Sequence, residues 1–241
     1  MKVFVSGQKS FGKAVLLALM EAGHEVTGVA VAPQKRLKDK MVGVAQLNKI
    51  PIVSDGESLT ADMIPNGTEL IVSAHSHWII SDKCLEKCKY GGIGFHPSLL
   101  PLHRGQDAVR WTAHMGDRVT GGSVYRLDTK CDGGDILSRE IVFVKPGWDY
   151  HDIWSAIFPI GVKMVVDAVG AIESGTARYE RQDEECATWE PSWDRPRLKR
   201  NDLIMIGGES EPSVPPECNG CGRECASCTY HIADGDVFFK R

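Results

Sequence analysis

The sequence predicts an α/β fold with a doubly wound, mostly parallel sheet and a small Cys-rich C-terminal tail. Strand-like and helix-like segments alternate through the first half of the chain. The strand-like segments are short and continuously apolar, which is typical of strands covered by helices on both faces. They are Val3–Ser6, Glu25–Val31, Ile50–Val53, Leu70–Ala74 and Ile93–Phe95.

Three helices are predicted between these strands. The first follows Ser10, a good capping residue, shows apolar residues at helical spacing and ends at Gly23. The other two are shorter and are expected at Gly43–Leu47 and Ser81–Cys88. Each helix separates two strands, as a parallel sheet requires.

The pattern changes in the second half. Val119–Leu127 and Ile136–Val144 are predicted to be strands on either side of a turn-rich stretch, Lys130–Asp135. A long amphipathic helix is expected over Tyr150–Ser174. Because proline cannot donate a backbone hydrogen bond, Pro159 predicts a kink or a break near residue 158.

The chain is expected to divide into a catalytic domain over 1–188, a connecting segment over 189–216 and a Cys-rich tail over 217–241. The connecting segment includes a stretch rich in Gly, Ser, Glu and Pro, Gly207–Pro216, which is typical of a linker. Four of the eight Cys residues fall in the tail.

The composition, with 42% hydrophobic and 25% charged residues, is that of a globular protein. The formal net charge of −4 provides no basic surface for nucleic acid, so such a partner is not expected unless the tail binds it. Pro159, Lys163 and Asp167 interrupt the longest apolar helix candidate, so no membrane span is expected. The first apolar run is too short for an export signal, and we therefore expect a cytoplasmic location with reduced or metal-bound cysteines.

Two stretches carry candidate chemistry. His96 follows a predicted strand directly, at the sheet edge where open α/β folds bind ligands. Asp132 lies in a glycine-rich turn that can approach that edge closely. A His–Asp pair transfers protons, because the carboxylate orients the imidazole and stabilises its charged form. Residue types alone leave open that His96 is only a packed loop residue.

The two strings themselves, HPSLLPLHRG from His96 and DGGDIL from Asp132, resemble those of the folate-dependent formyltransferases. This family includes glycinamide ribonucleotide, methionyl-tRNA and sugar N-formyltransferases, and the resemblance ends near Gln182–Thr188. It implies a Rossmann-like fold, 10-formyltetrahydrofolate as co-substrate and a small-molecule amine as acceptor. By the same resemblance, His96 and Asp132 are the catalytic residues for proton transfer and for stabilising the tetrahedral intermediate.

The resemblance also implies a folate pocket with two walls. Ser98, Leu99 and Arg104 match motif positions that shape the catalytic loop, for which simple packing is an equally good explanation. The expected folate-binding residues are His77, Trp78, Ile79 and Ile80 on one wall, and Lys130, Cys131, Gly133, Gly134 and Asp135 on the other.

The sequence departs from the family pattern at Gly94, where these enzymes normally have an Asn that holds the oxyanion. Losing one such donor can cost about two to three orders of magnitude in rate. Three explanations stay open. A backbone N–H, a water or a side chain such as His75 or His77 replaces the Asn, or the reaction is hydrolysis of the formyl donor, or the protein binds without catalysis.

The tail suggests a metal site. Its four cysteines, in two closely spaced pairs, can supply tetrahedral zinc ligands or, as a second choice, an iron–sulfur cluster. The alternative is an ordinary reduced tail. The four residues are Cys218, Cys221, Cys225 and Cys228.

Three functions are therefore compared: transfer of a formyl group to an amine, with an amino sugar or sugar nucleotide favoured; formyltetrahydrofolate hydrolysis; and folate or ligand binding without turnover. A Rossmann-type dehydrogenase is disfavoured, because the segment Gly7–Gly12 lacks the full dinucleotide fingerprint. A homodimer is left open.

Overall fold

The computed structural model describes residues 1–32, 39–54 and 58–193, and the backbone of 230–233 and 236–239. The strands are β1 (Lys2–Gly7), β2 (Glu25–Ala30), β3 (Ile52–Val53), β4 (Leu70–Ala74), β5 (Gly92–His96), β6 (Arg104–Gly105), β7 (Val119–Arg126), β8 (Ile136–Phe143), β9 (Trp189–Glu190), β10 (Tyr230–Ala233) and β11 (Asp236–Phe239). The helices are α1 (Lys9–Glu21), α2 (Lys40–Leu47), α3 (Asp82–Glu86), α4 (Ala108–Met115) and α5 (Tyr150–Glu173), with short 3₁₀ turns at Ala61–Met63 and Glu184–Cys186.

Seven strands form the main sheet, in the order β3-β2-β1-β4-β5-β7-β8. The pairs from β3 to β5 are all parallel, whereas β7 is antiparallel to β5 and β8 is antiparallel to β7. The predicted doubly wound, mostly parallel sheet is confirmed. Two small sheets accompany it: β6 pairs with β9, and β10 with β11.

Both faces of the sheet bury apolar side chains, which explains the continuously apolar strands. In β1, Val3 and Val5 face a large cluster that includes residues of α1 and α5, while Phe4 faces the opposite side. On that opposite side Phe4 joins a smaller cluster that contains Trp78 and Cys84. Alternation along each strand therefore divides the apolar residues between two cores.

The long helix α5 runs through Pro159 without a break. Of the two predicted outcomes, a kink or a break, the break is wrong, and the reason is where the proline lies. Pro159 and Ser155, whose carbonyl loses the bond that Pro159 cannot donate, are both exposed, so water can reach that carbonyl. By length and composition α5 could cross a membrane, but its other face packs on the sheet as in a core helix.

Two features were not predicted. Helix α4 fills the stretch between the catalytic loop and β7, and the strand pair β6–β9 joins the catalytic loop to residues near Trp189. The chain beyond Thr188 thus still contacts the sheet domain. The division into 1–188, 189–216 and 217–241 stays a prediction.

Candidate active site

His96 ends β5, at the carboxyl edge of the sheet, and is 6% exposed. Its Nε2 lies 2.6 Å from the carbonyl oxygen of His103. Because a carbonyl oxygen only accepts, Nε2 carries the hydrogen and donates it. In the neutral ring this leaves Nδ1 with a lone pair, and Nδ1 lies 3.7 Å from Oδ2 of Asp132.

Asp132 accepts hydrogen bonds on both carboxylate oxygens, among them a long one of 3.5 Å from the Cys131 thiol to Oδ2. The Tyr125 hydroxyl donates to Oδ1 at 2.6 Å, and the Gly105 backbone N–H donates to Oδ2 at 2.9 Å. Burial raises the pKa of Asp132, but the charge of His96 and these hydrogen bonds outweigh burial and hold the pKa below its ordinary value. The carboxylate is therefore ionised and fixed in position at neutral pH.

Together the two groups form a proton acceptor with a fixed counter-charge. Nδ1 of His96 can take a proton, and the ionised Asp132 carboxylate 3.7 Å away then stabilises the imidazolium. A cationic ring at the sheet edge can in turn stabilise negative charge that develops on a reacting oxygen. The arrangement suits general acid–base chemistry at a carbonyl carbon.

Gln182 holds the turn that carries Asp132 through hydrogen bonds to the backbone of the turn. Its amide nitrogen donates to the carbonyl oxygens of Asp132 and Gly134, at 2.8 and 2.7 Å. Its amide oxygen accepts from Nε and Nη2 of Arg104, at 3.0 and 2.7 Å. Arg104 is fully buried and also donates to Glu184 at 2.8 Å. The arginine of the first motif therefore supports the aspartate of the second.

His103 forms a buried ionic cluster under the catalytic loop. Its Nδ1 lies 3.2 Å from Glu190 and its Nε2 lies 2.8 Å from Asp117. Burial lowers the pKa of His103, but the hydrogen bonds to the two carboxylates outweigh burial and raise it to about 9. The charged ring fixes the backbone of residue 103, whose carbonyl oxygen accepts from His96.

Four non-glycine residues around the site have left-handed backbones, with φ from 52 to 62°. Such conformations cost free energy and persist where the surroundings impose them, often at functional sites. They are His75, His103, Asp107 and Asp132. All four lie in loops that follow strands or precede α4.

His75 follows β4 and lies near His96, Lys9 and Asp107. Desolvation lowers the pKa of His75, and the nearby charge of Lys9 acts in the same direction. Its ring lies 6.3 Å from that of Trp154, yet it keeps access to solvent. A neutral imidazole there can accept a hydrogen bond from a ligand.

The four residues of the first predicted folate wall differ in how exposed their side chains are. His77 and Ile79 are exposed, and Ile79 is exposed to 85%, which is unusual for a large apolar side chain. Ile80 is half-buried and bridges to Leu59. The Trp78 side chain instead lies in the smaller core and donates to the carbonyl of Val31 at 2.8 Å.

The second predicted wall is the turn that holds Asp132. Lys130 and Cys131 are exposed, and Lys130 pairs with Glu184 at 3.3 Å. Gly134 is buried, and a Cβ there would lie 1.8 Å from the carbonyl oxygen of Arg126, so no other residue fits. Gly133 and Asp135 are half-buried in the same turn. Their role toward folate stays a prediction.

Two loop residues of the first motif have structural partners. Ser98 is fully buried, donates to the carbonyl of Leu102 at 2.6 Å and accepts at its own carbonyl from Ser123 at 2.7 Å. The Leu99 side chain packs beside Gly121 of β7. These contacts support the packing explanation for both residues.

Gly94 lies two residues before His96 on β5 and faces Tyr125 of β7. A Cβ at Gly94 would lie 2.9 Å from Cζ of Tyr125 and 3.0 Å from Cδ2 of Leu127. The tyrosine ring therefore occupies the space that a side chain at position 94 would need.

The predicted metal ligands Cys218, Cys221, Cys225 and Cys228 lie outside the described residues. In the part of the chain whose side chains are described, no group of three or more His, Cys, Asp or Glu side chains could hold a metal. The metal site in the tail stays a prediction without structural support.

Sequence reasoning missed three contributors to the site: Tyr125, the His103 cluster, and the support that Gln182 gives to Asp132. From the sequence alone, Tyr125 is explained as an inward-facing strand residue and His103 as part of a loop motif. From the sequence alone, Gln182 is only the first residue of the stretch Gln182–Thr188, where the family resemblance ends. Its partner Arg104 offers one signal, because an arginine inside an otherwise apolar motif needs a partner when buried.

Comparison with known proteins gives consistent results. A family model described as formyl transferase matches residues 1–169. The mitochondrial 10-formyltetrahydrofolate dehydrogenase of Mus musculus is 33% identical over 240 residues, which cover 91% of this chain and 26% of that protein. The chain thus spans about a quarter of the length of this relative.

Two solved structures share the fold. Glycinamide ribonucleotide transformylase 1 from Symbiobacterium toebii superposes with a TM-score of 0.62 at 20% identity, covering 76% of this chain and 93% of that one. An N-formyltransferase from Helicobacter canadensis, in complex with folinic acid and dTDP-3-aminofucose, gives a TM-score of 0.64 at 14% identity and covers 100% of both chains.

Proposed function

We propose that this chain, which belongs to the formyl transferase family, takes the formyl group of 10-formyltetrahydrofolate and transfers it to an amine of a small substrate. The observation that carries the proposal is the His96–Asp132 pair, in which a buried imidazole faces an ionised carboxylate at the sheet edge. The same pair was expected from the two sequence strings.

In the proposed reaction, the amine nitrogen attacks the formyl carbon and a tetrahedral intermediate forms. The bond from the formyl carbon to N10 of the folate then breaks, and as tetrahydrofolate leaves, N10 takes from His96 the proton that the ring had received from the amine. Nδ1 of His96 receives the proton that the amine loses, and Asp132 stabilises the resulting imidazolium. The cationic ring stabilises the oxyanion of the intermediate.

The site has features that fit a pteridine and a reactive donor. Ile79 presents an apolar side chain that is 85% exposed, as the wall of a ligand pocket would. The turn from Lys130 to Asp135 carries Asp132, is held in place by Gln182 and exposes Lys130 and Cys131. Folate would then bind between these two walls, with its formyl group near His96.

For the acceptor, we favour an amino sugar or a sugar nucleotide. The Helicobacter canadensis enzyme of the same fold binds folinic acid together with dTDP-3-aminofucose. Near His96, His75 offers a neutral imidazole, and Lys9 adds a positive charge that suits a nucleotide phosphate. The acceptor would reach the formyl carbon from the side of His75.

Hydrolysis of the donor is the second candidate. It is supported by the 33% identity to a 10-formyltetrahydrofolate dehydrogenase and by Gly94, which leaves position 94 without a side-chain donor. Water would then take the place of the amine, and formate would be released. The same His96–Asp132 pair would remove the proton from water.

One experiment separates these functions. The protein is incubated with 10-formyltetrahydrofolate, with and without a panel of amino sugars and sugar nucleotides, and both tetrahydrofolate and formate are quantified. Tetrahydrofolate without formate, dependent on an acceptor, supports transfer, whereas equal amounts without acceptor support hydrolysis. His96→Ala is the control. A folded protein that forms neither product would refute both candidates.

A further inference from the structure

Tyr125 makes the shortest hydrogen bond to the Asp132 side chain. The phenol lies on β7, is 7% exposed, and its hydroxyl donates to Oδ1 of Asp132 at 2.6 Å. Burial and the charge of Asp132 raise the pKa of Tyr125 well above its ordinary value, so the phenol stays protonated and remains a donor. The carboxylate oxygen it holds is the one that Gly105 does not.

The place of this ring depends on Gly94. On the neighbouring strand, Gly94 is paired with Tyr125, and any Cβ there would meet ring atoms at 2.9 and 3.0 Å. Real Cβ atoms are almost never that close to another heavy atom, so a larger residue would displace the phenol from Asp132. Gly94 and Tyr125 are therefore complementary: the glycine supplies the space and the tyrosine uses it.

From these contacts we infer that Tyr125 is a positioning residue for catalysis, which holds Asp132 toward His96 and keeps its carboxylate ionised, with Gly94 making room for the ring. The inference rests on the proposed function and extends it. Tyr125 does not touch the reacting atoms in this proposal and acts only through Asp132.

The groups that face this pair define what else could affect its titration. They are His96 from β5, Cys131 from the turn, and Asp128, which is near enough to Tyr125 to raise its pKa. The N–H of Gly105 and, at 3.5 Å, the thiol of Cys131 are the other donors to the carboxylate. Loss of the Tyr125 hydroxyl leaves Asp132 with weaker stabilisation of its charged form.

The test is Tyr125→Phe, with Tyr179→Phe as the matched control, since Tyr179 is 40% exposed and away from Asp132. We expect kcat to fall roughly 10- to 100-fold in Tyr125→Phe, as befits loss of a hydrogen bond to a charged group, with KM for the formyl donor nearly unchanged. The acid limb of the kcat–pH profile should move to higher pH, because Asp132 loses a donor that favours its charged form. Tyr179→Phe should change neither.

A double-mutant cycle separates positioning from a general loss of structure. In an Asp132→Asn background, Tyr125→Phe should have little further effect on kcat, because the charge it serves is already gone. Additive losses, or an unchanged kcat and acid limb in Tyr125→Phe, would overturn the inference. Thermal unfolding of each variant shows whether it is folded.

A measurement without turnover keeps this inference distinct from the proposed function. A hydrogen bond that lowers the pKa of Asp132 stabilises the fold above the ordinary carboxyl pKa, and this stability is lost as pH falls through the lowered one. The difference in unfolding free energy between wild type and Tyr125→Phe should therefore be present at pH 7 and vanish in acid. If the wild-type protein is inactive but shows this pH-dependent difference in unfolding free energy, the proposed function is refuted and the inference is retained. A difference that does not depend on pH would refute the inference.

Discussion

Removal of the Gln182 side chain should lower both the free energy of unfolding and the rate of the reaction. Gln182 makes four hydrogen bonds: two from Arg104 to its amide oxygen, and two from its amide nitrogen to the carbonyls of Asp132 and Gly134. It is 4% exposed, and Arg104 is fully buried. Gln182→Ala would therefore leave a buried guanidinium and two buried carbonyls short of partners.

The magnitude follows from those four bonds. At about 1 kcal/mol each, Gln182→Ala should lower the free energy of unfolding by about 4 kcal/mol. The turn that carries Asp132 would also lose its support, and a displacement of about 1 Å can cost about 100-fold in rate. Gln182→Glu separates the two pairs of hydrogen bonds. Its carboxylate still accepts from Arg104 but cannot donate to the carbonyls of Asp132 and Gly134.

Urea unfolding followed by tryptophan fluorescence measures the change in the free energy of unfolding. The change in rate is measured as kcat at saturating formyl donor. Gln46→Ala is the control, since Gln46 is an exposed glutamine on α2 where alanine is an equally good helix former. A loss for Gln182→Ala below about 1 kcal/mol, with an unchanged unfolding slope, would show that the four contacts do not support the turn as argued.

Asp132→Asn should lower kcat by about 10²- to 10⁴-fold while binding of 5-formyltetrahydrofolate, measured by calorimetry, is kept; an unchanged kcat would contradict its role. His103→Gln should cost about 3 kcal/mol below pH 6.5, and the difference should shrink as pH rises through about 9, because a raised folded-state pKa stabilises only while the ring is protonated. Urea unfolding at several pH values checks this, and a pH-independent cost would contradict it. Gly161→Ala should destabilise by about 1–3 kcal/mol, since its Cβ would lie 2.4 Å from the ring of Phe95. Gly170→Ala, in the same helix with nothing within 4 Å, should instead stabilise by about 0.5–1 kcal/mol, and equal melting temperatures for the two variants would refute the packing argument.

Most of the sheet could be predicted because its strands are apolar on both faces. Leu70–Ala74 was predicted with the bounds it has in the structure, and other strands differ by a residue or two. Helix α4 could not be predicted in the same way. It has only eight residues, Arg110 and His114 interrupt its apolar pattern, and Asp107 begins it with a left-handed backbone and no side-chain cap.

The strand pair β6–β9 gave no signal either, because each strand has two residues and their pairing is fixed by distant contacts. The N–H of Arg104 donates to the carbonyl of Thr188 at 3.0 Å, and that of Gln106 to the carbonyl of Glu190 at 3.2 Å. Periodicity cannot reveal pairs that are only two residues long.

For the site, the sequence indicated the His96–Asp132 pair but not what holds it. His96 and Asp132 could be found because each lies in a recognisable string. The hydrogen bond from Tyr125 to Asp132 could not, since a tyrosine in a strand is usually explained by packing. The packing of Gly94 could not be predicted from the motif for the same reason, because the ring against it belongs to Tyr125 on the neighbouring strand.

The strand pair β6–β9 also has a consequence for how the protein is made. The sheet is complete by Phe143 and is covered by α5 at Glu173, whereas the partners of Arg104 and His103 lie between Gln182 and Glu190. During synthesis, the core can therefore fold before these residues leave the ribosome. Until then Arg104 lacks its partners Gln182 and Glu184, and His103 keeps Asp117 but lacks Glu190. The turn that carries Asp132 also lacks the support of Gln182. Catalytic competence would be the last property that the nascent domain acquires, and a chain shortened before Gln182 would keep its architecture but lose its chemistry.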